Sequence, residues 1–285
     1  MRTMNPRDVR PSAIAGSWYP GSRAELARTV DGYLANVEDG KVEGQVLGLI
    51  SPHAGYIYSG QVAAYAYKQL EGCQFDTVIL VGPSHRIYVG DYAVAAATYY
   101  ETPLGRVKVD EDFVGDLADE MDLPHVWETE EHCLEIQLPF LQRVLDDFAF
   151  VPILMSARTL AACQALADAI VTCSADRCCL IVASSDLHHI PGIGGSRVVE
   201  QRDAEVVHAL SGGDVDHVAR VLLKAEHDSV CGRMPIITAL LTGQGRGATR
   251  VEVLRHTNSA EVTGQGTASS YTVGYAAAVI LAGRG

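Results

Sequence analysis

Histidines follow two strand-like apolar segments of this sequence at equivalent positions. His53 lies just beyond the segment VLGLIS (46–51), and His85 lies just beyond TVILVG (77–82). The 32 residues that separate them (85 − 53) match the length of a strand–helix–strand unit. If the two strands are parallel neighbours, both imidazoles arrive at one edge of the sheet and form half of a transition-metal site. The alternative is a pair of histidines that only cap or pack.

A cysteine offers a third ligand for such a site. Cys231 stands in SVCGRMP, just before a predicted helix that begins at residue 233, and a helix N-terminus lowers the pKa of a nearby thiol. A thiolate beside two imidazoles suits iron, copper or zinc. Spacing alone does not bring Cys231 to the histidines, and most cysteines serve as small apolar residues.

The motif SSDLHH carries a carboxylate and two imidazoles. It follows the apolar run CCLIVA, at the strand end where open α/β sheets bind ligands. Asp186 could orient a histidine, and His188 or His189 could act as a general acid or base. The alternative is a loop in which Asp186 only caps a turn.

Other polar and aromatic residues are weaker candidates. In EHCLEIQ, we expect Glu131 and His132 to reach a site from a turn. The alternative is a solvated helix face formed by Glu131, His132, Glu135 and Gln137. Three aromatic residues could line a pocket for a flat ligand or could simply pack: Trp18, Tyr19 and Tyr56.

Strand-like apolar runs alternate with segments of helical period along the chain, which predicts an α/β fold. Several runs are apolar on both faces, as in a sheet that helices cover on each side. We therefore predict one domain over residues 1–285, a three-layer αβα sandwich around a largely parallel or mixed sheet. The predicted strands are 46–51, 77–82, 92–98, 148–155, 178–185, 251–256 and 272–281. The predicted helices are 23–37, 59–71, 110–121, 133–147, 160–175, 197–211, 215–225 and 233–243, where Pro139 favours a kink or a later start of the fourth.

Charge and cysteine usage restrict the partners and the compartment. With 35 acidic against 22 basic residues the net charge is −13, which disfavours nucleic acid as a partner. The most apolar run is about a dozen residues, short of the ~20 that span a membrane. The N-terminus lacks the apolar stretch of a signal peptide. Seven irregularly spaced cysteines without a CxxC pair then indicate reduced thiols in a cytoplasmic protein.

Taken in order, several segments resemble the Memo family, also known as AmmeMemoRadiSam system protein B. The resemblance extends over nearly the whole chain and keeps the family's order. The matching segments are AGSWYPG (15–21), SPHAGYIYSG (51–60), GPSH (82–85), TPLG (102–105), EHCLEIQLPFL (131–141), SSDLHH (184–189) and CGRMPI (231–236).

The resemblance implies a fold like that of the class III extradiol ring-cleavage dioxygenases, with one non-haem metal ion. It places His53, His85 and Cys231 at metal positions, and Asp186 and His189 at positions that support the metal or move protons. His188 has no counterpart in the family motif. Those dioxygenases complete their site with a carboxylate where this chain has Cys231, so the resemblance supports metal binding more than ring cleavage. Fe(II) is the expected ion, with copper or zinc as alternatives.

Three functions follow as hypotheses. The first is a metal-dependent redox enzyme in which His189, oriented by Asp186, moves a proton. The second is a non-catalytic adaptor that uses the same pocket for a small or aromatic ligand, a peptide or a protein partner. The third is a hydrolase based on Cys231 or Ser185, which ranks last because the chain has no GxSxG motif.

Overall fold

A mixed β-sheet runs through the protein, and helices cover it. The structure, a computed structural model, describes residues 8–38, 40–266 and 270–283. The strands are β1 (Val9–Arg10), β2 (Gln45–Ser51), β3 (Thr77–Pro83), β4 (Tyr92–Ala95), β5 (Tyr99–Thr102), β6 (Gly105–Val109), β7 (His125–Val126), β8 (Ala149–Met155), β9 (Cys179–Ser184), β10 (His189–Pro191), β11 (Ala248–Asn258) and β12 (Tyr271–Ala282). The helices are α1 (Arg23–Ala35), α2 (Tyr56–Tyr67), α3 (Glu111–Glu120), α4 (Leu138–Val144), α5 (Leu160–Cys173), α6 (Gly195–Gly212), α7 (Val215–Leu222), α8 (Arg233–Gly245) and α9 (Ser259–Val262). Short 3₁₀ turns lie at Lys68–Leu70, Glu135–Gln137 and Ala225–His227.

The centre of the sheet is parallel and its flanks are mixed. Strand β3 runs parallel to both of its neighbours, β8 and β9, and β9 runs parallel to β2. Beyond β2 the sheet continues with antiparallel β12, which also pairs with β10 and β11. Because β2, β3 and β9 are parallel, their carboxyl ends meet at one edge, and the segments that follow them share that edge.

Two groups of helices cover this sheet. Helix α5 packs against α3 and α8, and α8 contacts the central strands β3, β9 and β2. Helix α2 packs against α1 and α4 and contacts β2 and β12. Helix α6 packs on β11 and β12, with α7 beside it. The fold is therefore the predicted three-layer αβα sandwich around a mixed sheet.

The central strands are buried along their whole length. Every residue of β3 and of β9 is buried, and β2 is buried from Val46 onward. Side chains of a strand alternate between the two faces of a sheet, so burial at every position requires a covering layer on each face. This confirms the interpretation of these runs as strands covered on both sides.

Several element boundaries differ from the prediction for identifiable physical reasons. The predicted helix 133–147 is a 3₁₀ turn followed by α4, with Pro139 in its first turn, where the missing N–H of proline costs nothing. Helix α2 begins at Tyr56, three residues before the predicted start at 59. The sequence pattern did not identify β1, β5, β6, β7 and β10, because strands of two to five residues are too short to show a period.

The most apolar run of the chain is a strand and not a helix. Residues 271–282 form β12, which pairs with β2 on one side and with β11 over most of its length. Over the described ranges, no helix is both long enough and apolar enough to cross a membrane. All seven cysteines are free thiols.

Candidate metal centre

His53 stands where β2 leaves the sheet, two residues after the strand ends at Ser51. Its backbone N–H donates a 2.7 Å hydrogen bond to Asp186 Oδ1, on the segment that follows β9. The side chain is buried, with 2% of its residue surface exposed. Burial and three neighbouring imidazoles hold the pKa of His53 well below its usual value, so the ring is neutral at physiological pH. A neutral imidazole is the form that binds metals.

A chain of hydrogen bonds sets which nitrogen of His53 carries the proton. Gln137 accepts from Tyr67 Oη (2.8 Å) and donates from Nε2 to Pro52 O (2.9 Å) and Ser184 Oγ (2.9 Å). Ser184 gives its own proton to Cys133 O at 2.7 Å, so toward His53 Nδ1, 3.0 Å away, Ser184 Oγ acts as an acceptor. His53 Nδ1 is therefore protonated, and the lone pair stays on Nε2.

His85 reaches the same edge from the end of β3 and is oriented by a carboxylate. Its backbone N–H and its ring Nδ1 donate to the two oxygens of Glu131, at 2.6 Å and 3.0 Å. Burial alone would raise the pKa of Glu131, but the hydrogen bonds and charge of His85 outweigh it and lower this pKa to about 2. An ionised carboxylate on Nδ1 leaves Nε2 of His85 available to a metal and makes it a better donor.

Cys231 completes the cluster from a distant part of the chain. Its Sγ lies 3.1 Å from His53 Nε2, and ligand atoms of His53, His85 and Cys231 all lie within 4.8 Å of one another. Burial, followed by the nearby Asp186 carboxylate, raises the pKa of the Cys231 thiol. The lowering expected from a helix N-terminus is therefore not found, because α8 begins two residues later and burial dominates.

The cluster fits a single metal ion. Each histidine has its Nδ1 hydrogen-bonded and its Nε2 available, and a thiol faces one of these Nε2 atoms. Metal bonds to imidazole nitrogen and thiolate sulfur are about 2.0–2.3 Å long, so three ligand atoms of one ion lie roughly 3.3–4 Å apart. Small side-chain movements would bring the present separations into that range.

His132 forms one wall of the site. Its ring stacks on that of His85 with 4.6 Å between centroids, and it lies 4.3 Å from the Trp18 ring. Its centroid is 5.4 Å from that of His53. Burial lowers the pKa of His132 to about 4, so it is a neutral hydrogen-bonding group. In the sequence it was recognisable only as a turn residue able to reach a site.

A cavity of about 730 Å³ opens onto the histidines. This volume suits a small organic ligand. Trp18 lines it as expected, but Tyr19 and Tyr56 do not: their hydroxyls donate to Glu135 Oε1 (2.6 Å) and Ile136 O (2.8 Å) in the core. The aromatic residues that sequence reasoning missed in the lining are Tyr58, Tyr271 and Tyr275.

The three titratable residues of SSDLHH have different surroundings. Asp186 and His189 line the cavity, with 4.0 Å between Asp186 Oδ2 and His189 Nε2. His189 Nδ1 donates to Ser229 O at 3.0 Å, so the Ser229 carbonyl supplies the orienting hydrogen bond that was expected from Asp186. In neutral His189 this leaves the lone pair on Nε2. His188 is fully buried and does not line the cavity, so a role as acid or base there is excluded.

The structure does not support two further predictions, one for Glu135 and Gln137 and one for Ser185. Glu135 and Gln137 are 0% and 1% exposed, so the prediction of a solvated helix face was wrong. Glu135 instead forms an ion pair of 2.6 Å with the buried Arg10. Ser185 does not form a serine–histidine pair: its hydroxyl donates to Asp186 O and accepts from Gly232 N. The serine version of the hydrolase hypothesis loses its support.

Comparison with known proteins agrees with these motifs. The family model for Memo-like proteins matches residues 10–279. A MEMO1 family protein of Methanosarcina acetivorans is 36% identical over 285 residues, covering 96% of this chain and 99% of its own. A MEMO1 family protein of Ignicoccus hospitalis is 32% identical over 286 residues, covering 94% and 97%. Because the match extends over nearly the full length of both sequences, this chain belongs to the Memo family.

Proposed function

We propose that the protein is a metal-dependent redox enzyme that holds one transition-metal ion through His53, His85 and Cys231. The observation that carries the proposal is the convergence of these three ligand atoms, with Nδ1 of each histidine already hydrogen-bonded. Two nitrogen donors and one sulfur donor suit iron(II), and copper or zinc as alternatives. A bound redox-active ion would supply electron transfer to and from a coordinated ligand.

The cavity residues would hold the substrate and move its proton. The side chains of Trp18, Tyr58 and Tyr271 provide aromatic surface for a small, flat molecule. His189 presents Nε2 to the same cavity, with Asp186 close enough to stabilise its protonated form. The neutral ring of His132 adds a hydrogen-bonding group beside His85. We expect a small aromatic compound as substrate, a cytoplasmic location, and neither nucleic acid nor a membrane as partner.

An adaptor function is the second candidate, and one observation favours it. The rim of the cavity carries apolar side chains that are open to solvent, with Ile57 73% and Tyr271 53% exposed. Exposed apolar groups beside a pocket are typical of surfaces that bind a ligand or a peptide. In that case the metal would be structural, and no oxygen uptake that depends on His189 would be measured.

Replacing both predicted histidine ligands should abolish stoichiometric metal binding. In the His53→Ala/His85→Ala variant only the thiol of Cys231 remains, and one ligand does not hold an ion at micromolar concentration. The measurement is elemental analysis and Co(II) titration of anaerobically purified protein. The matched control is His208→Ala/His217→Ala, which removes two exposed histidines and should retain the metal. Full metal content in the first variant would refute the site.

Metal affinity should rise with pH by about tenfold per unit between pH 7.5 and 9. Burial raises the pKa of the Cys231 thiol, so binding must release its proton, and log K then increases by one for each pH unit. His53, whose pKa is lowered by burial, has no proton to release in this range. Titrations with a competing chelator at four pH values measure the slope. A pH-independent affinity would mean that the sulfur does not bind the metal as thiolate.

A further inference from the structure

The segment 227–232, which carries Cys231, makes a series of contacts with the SSDLHH segment (184–189). His227 contacts His188 at one end, and Gly232 N donates to Ser185 Oγ at 3.0 Å at the other. Between them, Ser229 O accepts from His189, and Cys231 Sγ lies 3.6 Å from Asp186 O. The two segments therefore run past each other in opposite directions. The position of Cys231 relative to the proposed histidine ligands therefore depends on these contacts.

The contact between His188 and His227 is fully buried. His188 Nε2 lies 2.8 Å from His227 Nδ1, and each residue is 0% exposed. Neither lines the cavity, so neither touches a substrate there. His188 Nδ1 lies 2.6 Å from Asp203 Oδ1, so this nitrogen carries the proton. The two facing ring nitrogens share one hydrogen bond, and His227 Nε2 lies 3.3 Å from Glu205 Oε2 on its other side.

Asp203, on α6, is a buried carboxylate on which several elements converge. It also accepts from the backbone N–H of His188 at 3.2 Å and faces His256 Nε2, on β11, at 3.0 Å. A Cβ atom on Gly274, in β12, would lie 1.8 Å from Asp203 Oδ2, so the strand needs glycine there. This carboxylate thus fixes His188 relative to α6 and to two strands of the sheet.

We propose that the buried line Asp203–His188–His227 positions the Cys231 thiol beside His53. Asp203 holds Nδ1 of His188, Nε2 of His188 is hydrogen-bonded to Nδ1 of His227, and His227 begins the segment that leads to Cys231. These three are positioning residues, not ligands or acid–base groups. The inference rests on the proposed function in that the positioned thiol is a metal ligand. It explains why SSDLHH carries a second histidine that the cavity does not use.

The decisive comparison is between two substitutions of His227. His227→Leu removes the hydrogen-bonding partner of His188 Nε2, whereas His227→Asn keeps an amide that can donate or accept at the place of Nδ1. In Co(II)-loaded protein we expect the thiolate-to-cobalt absorption band to weaken in His227→Leu and Co(II) affinity to fall by about tenfold, because supporting partners of a metal site are typically worth 10–100-fold. His227→Asn should retain both properties within about twofold.

A second readout does not need a metal. In chelator-treated protein, alkylation of Cys231, followed by peptide mass spectrometry, reports how well the thiol is held in its buried position. We expect Cys231 to be alkylated about tenfold faster in His227→Leu than in the parent protein. This factor is comparable to the expected loss in Co(II) affinity. If the parent protein shows no thiolate band, the proposed function fails, while the alkylation rates still decide whether this line positions Cys231.

The control separates positioning from general loss of stability. Val206, like Asp203, lies on α6 and is fully buried. Its replacement by alanine leaves a cavity and should lower stability without removing any contact among Asp203, His188 and His227. It should keep the thiolate band and the alkylation rate of the parent protein. If His227→Leu does not fold, Asp203→Asn, which keeps the volume, takes its place. The proposal would be overturned if His227→Leu or Asp203→Asn left the thiolate band and the alkylation rate unchanged. It would also be overturned if Val206→Ala changed both properties by the same amount.

Discussion

Replacement of Arg10 by methionine is expected to lower the free energy of unfolding by about 3–5 kcal/mol, because it leaves two buried carboxylates without their cation. Arg10 is 1% exposed and forms ion pairs of 2.7 Å with Glu128 and 2.6 Å with Glu135, whose side chains are 4% and 0% exposed. Its guanidinium also lies 4.7 Å from the centre of the Tyr100 ring. Methionine preserves apolar volume, so the charge is the main loss.

Urea unfolding of this variant should be compared with that of Arg143→Met. Arg143 forms an equally short ion pair of 2.7 Å with Asp31, but the side chains are 39% and 48% exposed. Solvent screens such a pair, and its removal should cost about 0–1 kcal/mol. Equal losses in the two variants would show that burial does not amplify the Arg10 pairs. A larger loss in Arg10→Met supports the buried network.

The same arginine connects the N-terminal segment to the candidate metal centre. Its guanidinium donates to the backbone oxygen of Glu131, the residue whose carboxylate orients His85. Glu135 accepts from the backbone N–H of Ala13 and from the Tyr19 hydroxyl, which ties the same segment to the 3₁₀ turn before α4. We therefore expect a loss of metal affinity to accompany the loss of stability in Arg10→Met.

The sequence predicted that His53 and His85 lie at one edge of the sheet, because this requires only that the strands before them run parallel. His53 and His85 each follow a buried strand, and parallel strands that share a partner bring such residues to one edge. The sandwich was predictable for the same reason: strands apolar on both faces require two covering layers. Alternation and strand length are local properties, and they are readable in a single sequence.

The position of the third candidate ligand and the supporting hydrogen bonds could not be predicted from the pattern of strands. Cys231 lies far from the histidines in the chain, and only the resemblance to a family placed it at the site. Gln137 and Ser184, which set the tautomer of His53, come from segments distant from each other, and no periodicity links them. Glu135 was misjudged because a charged residue near a helix start is usually solvated, whereas here a buried arginine compensates its charge.

Substitution of His189 by glutamine should lower turnover by about 10²–10⁴-fold while the metal content stays unchanged, because a general acid or base contributes in this range. His189 lines the cavity but is not one of the three clustered ligands. Glutamine retains hydrogen-bonding capacity and cannot carry the proton. The measurement is oxygen uptake by iron(II)-loaded protein with a catechol probe. His208→Gln, on the exposed face of α6, is the matched control and should leave the rate unchanged.

The pH profile of the same assay tests the pairing of His189 with Asp186. Burial raises the pKa of Asp186 to about 6, although the charge of His189 and the backbone N–H of His53 act to lower it. As the pH falls through 6 the pair gains a proton, its basic form is lost, and the rate should decrease by about tenfold per pH unit. Without the opposing charge of His189, the Asp186 pKa rises, so the residual rate of His189→Gln should decline from a higher pH. An unshifted profile would mean that the two side chains act independently, and an absence of oxygen uptake in the parent protein would favour the adaptor function.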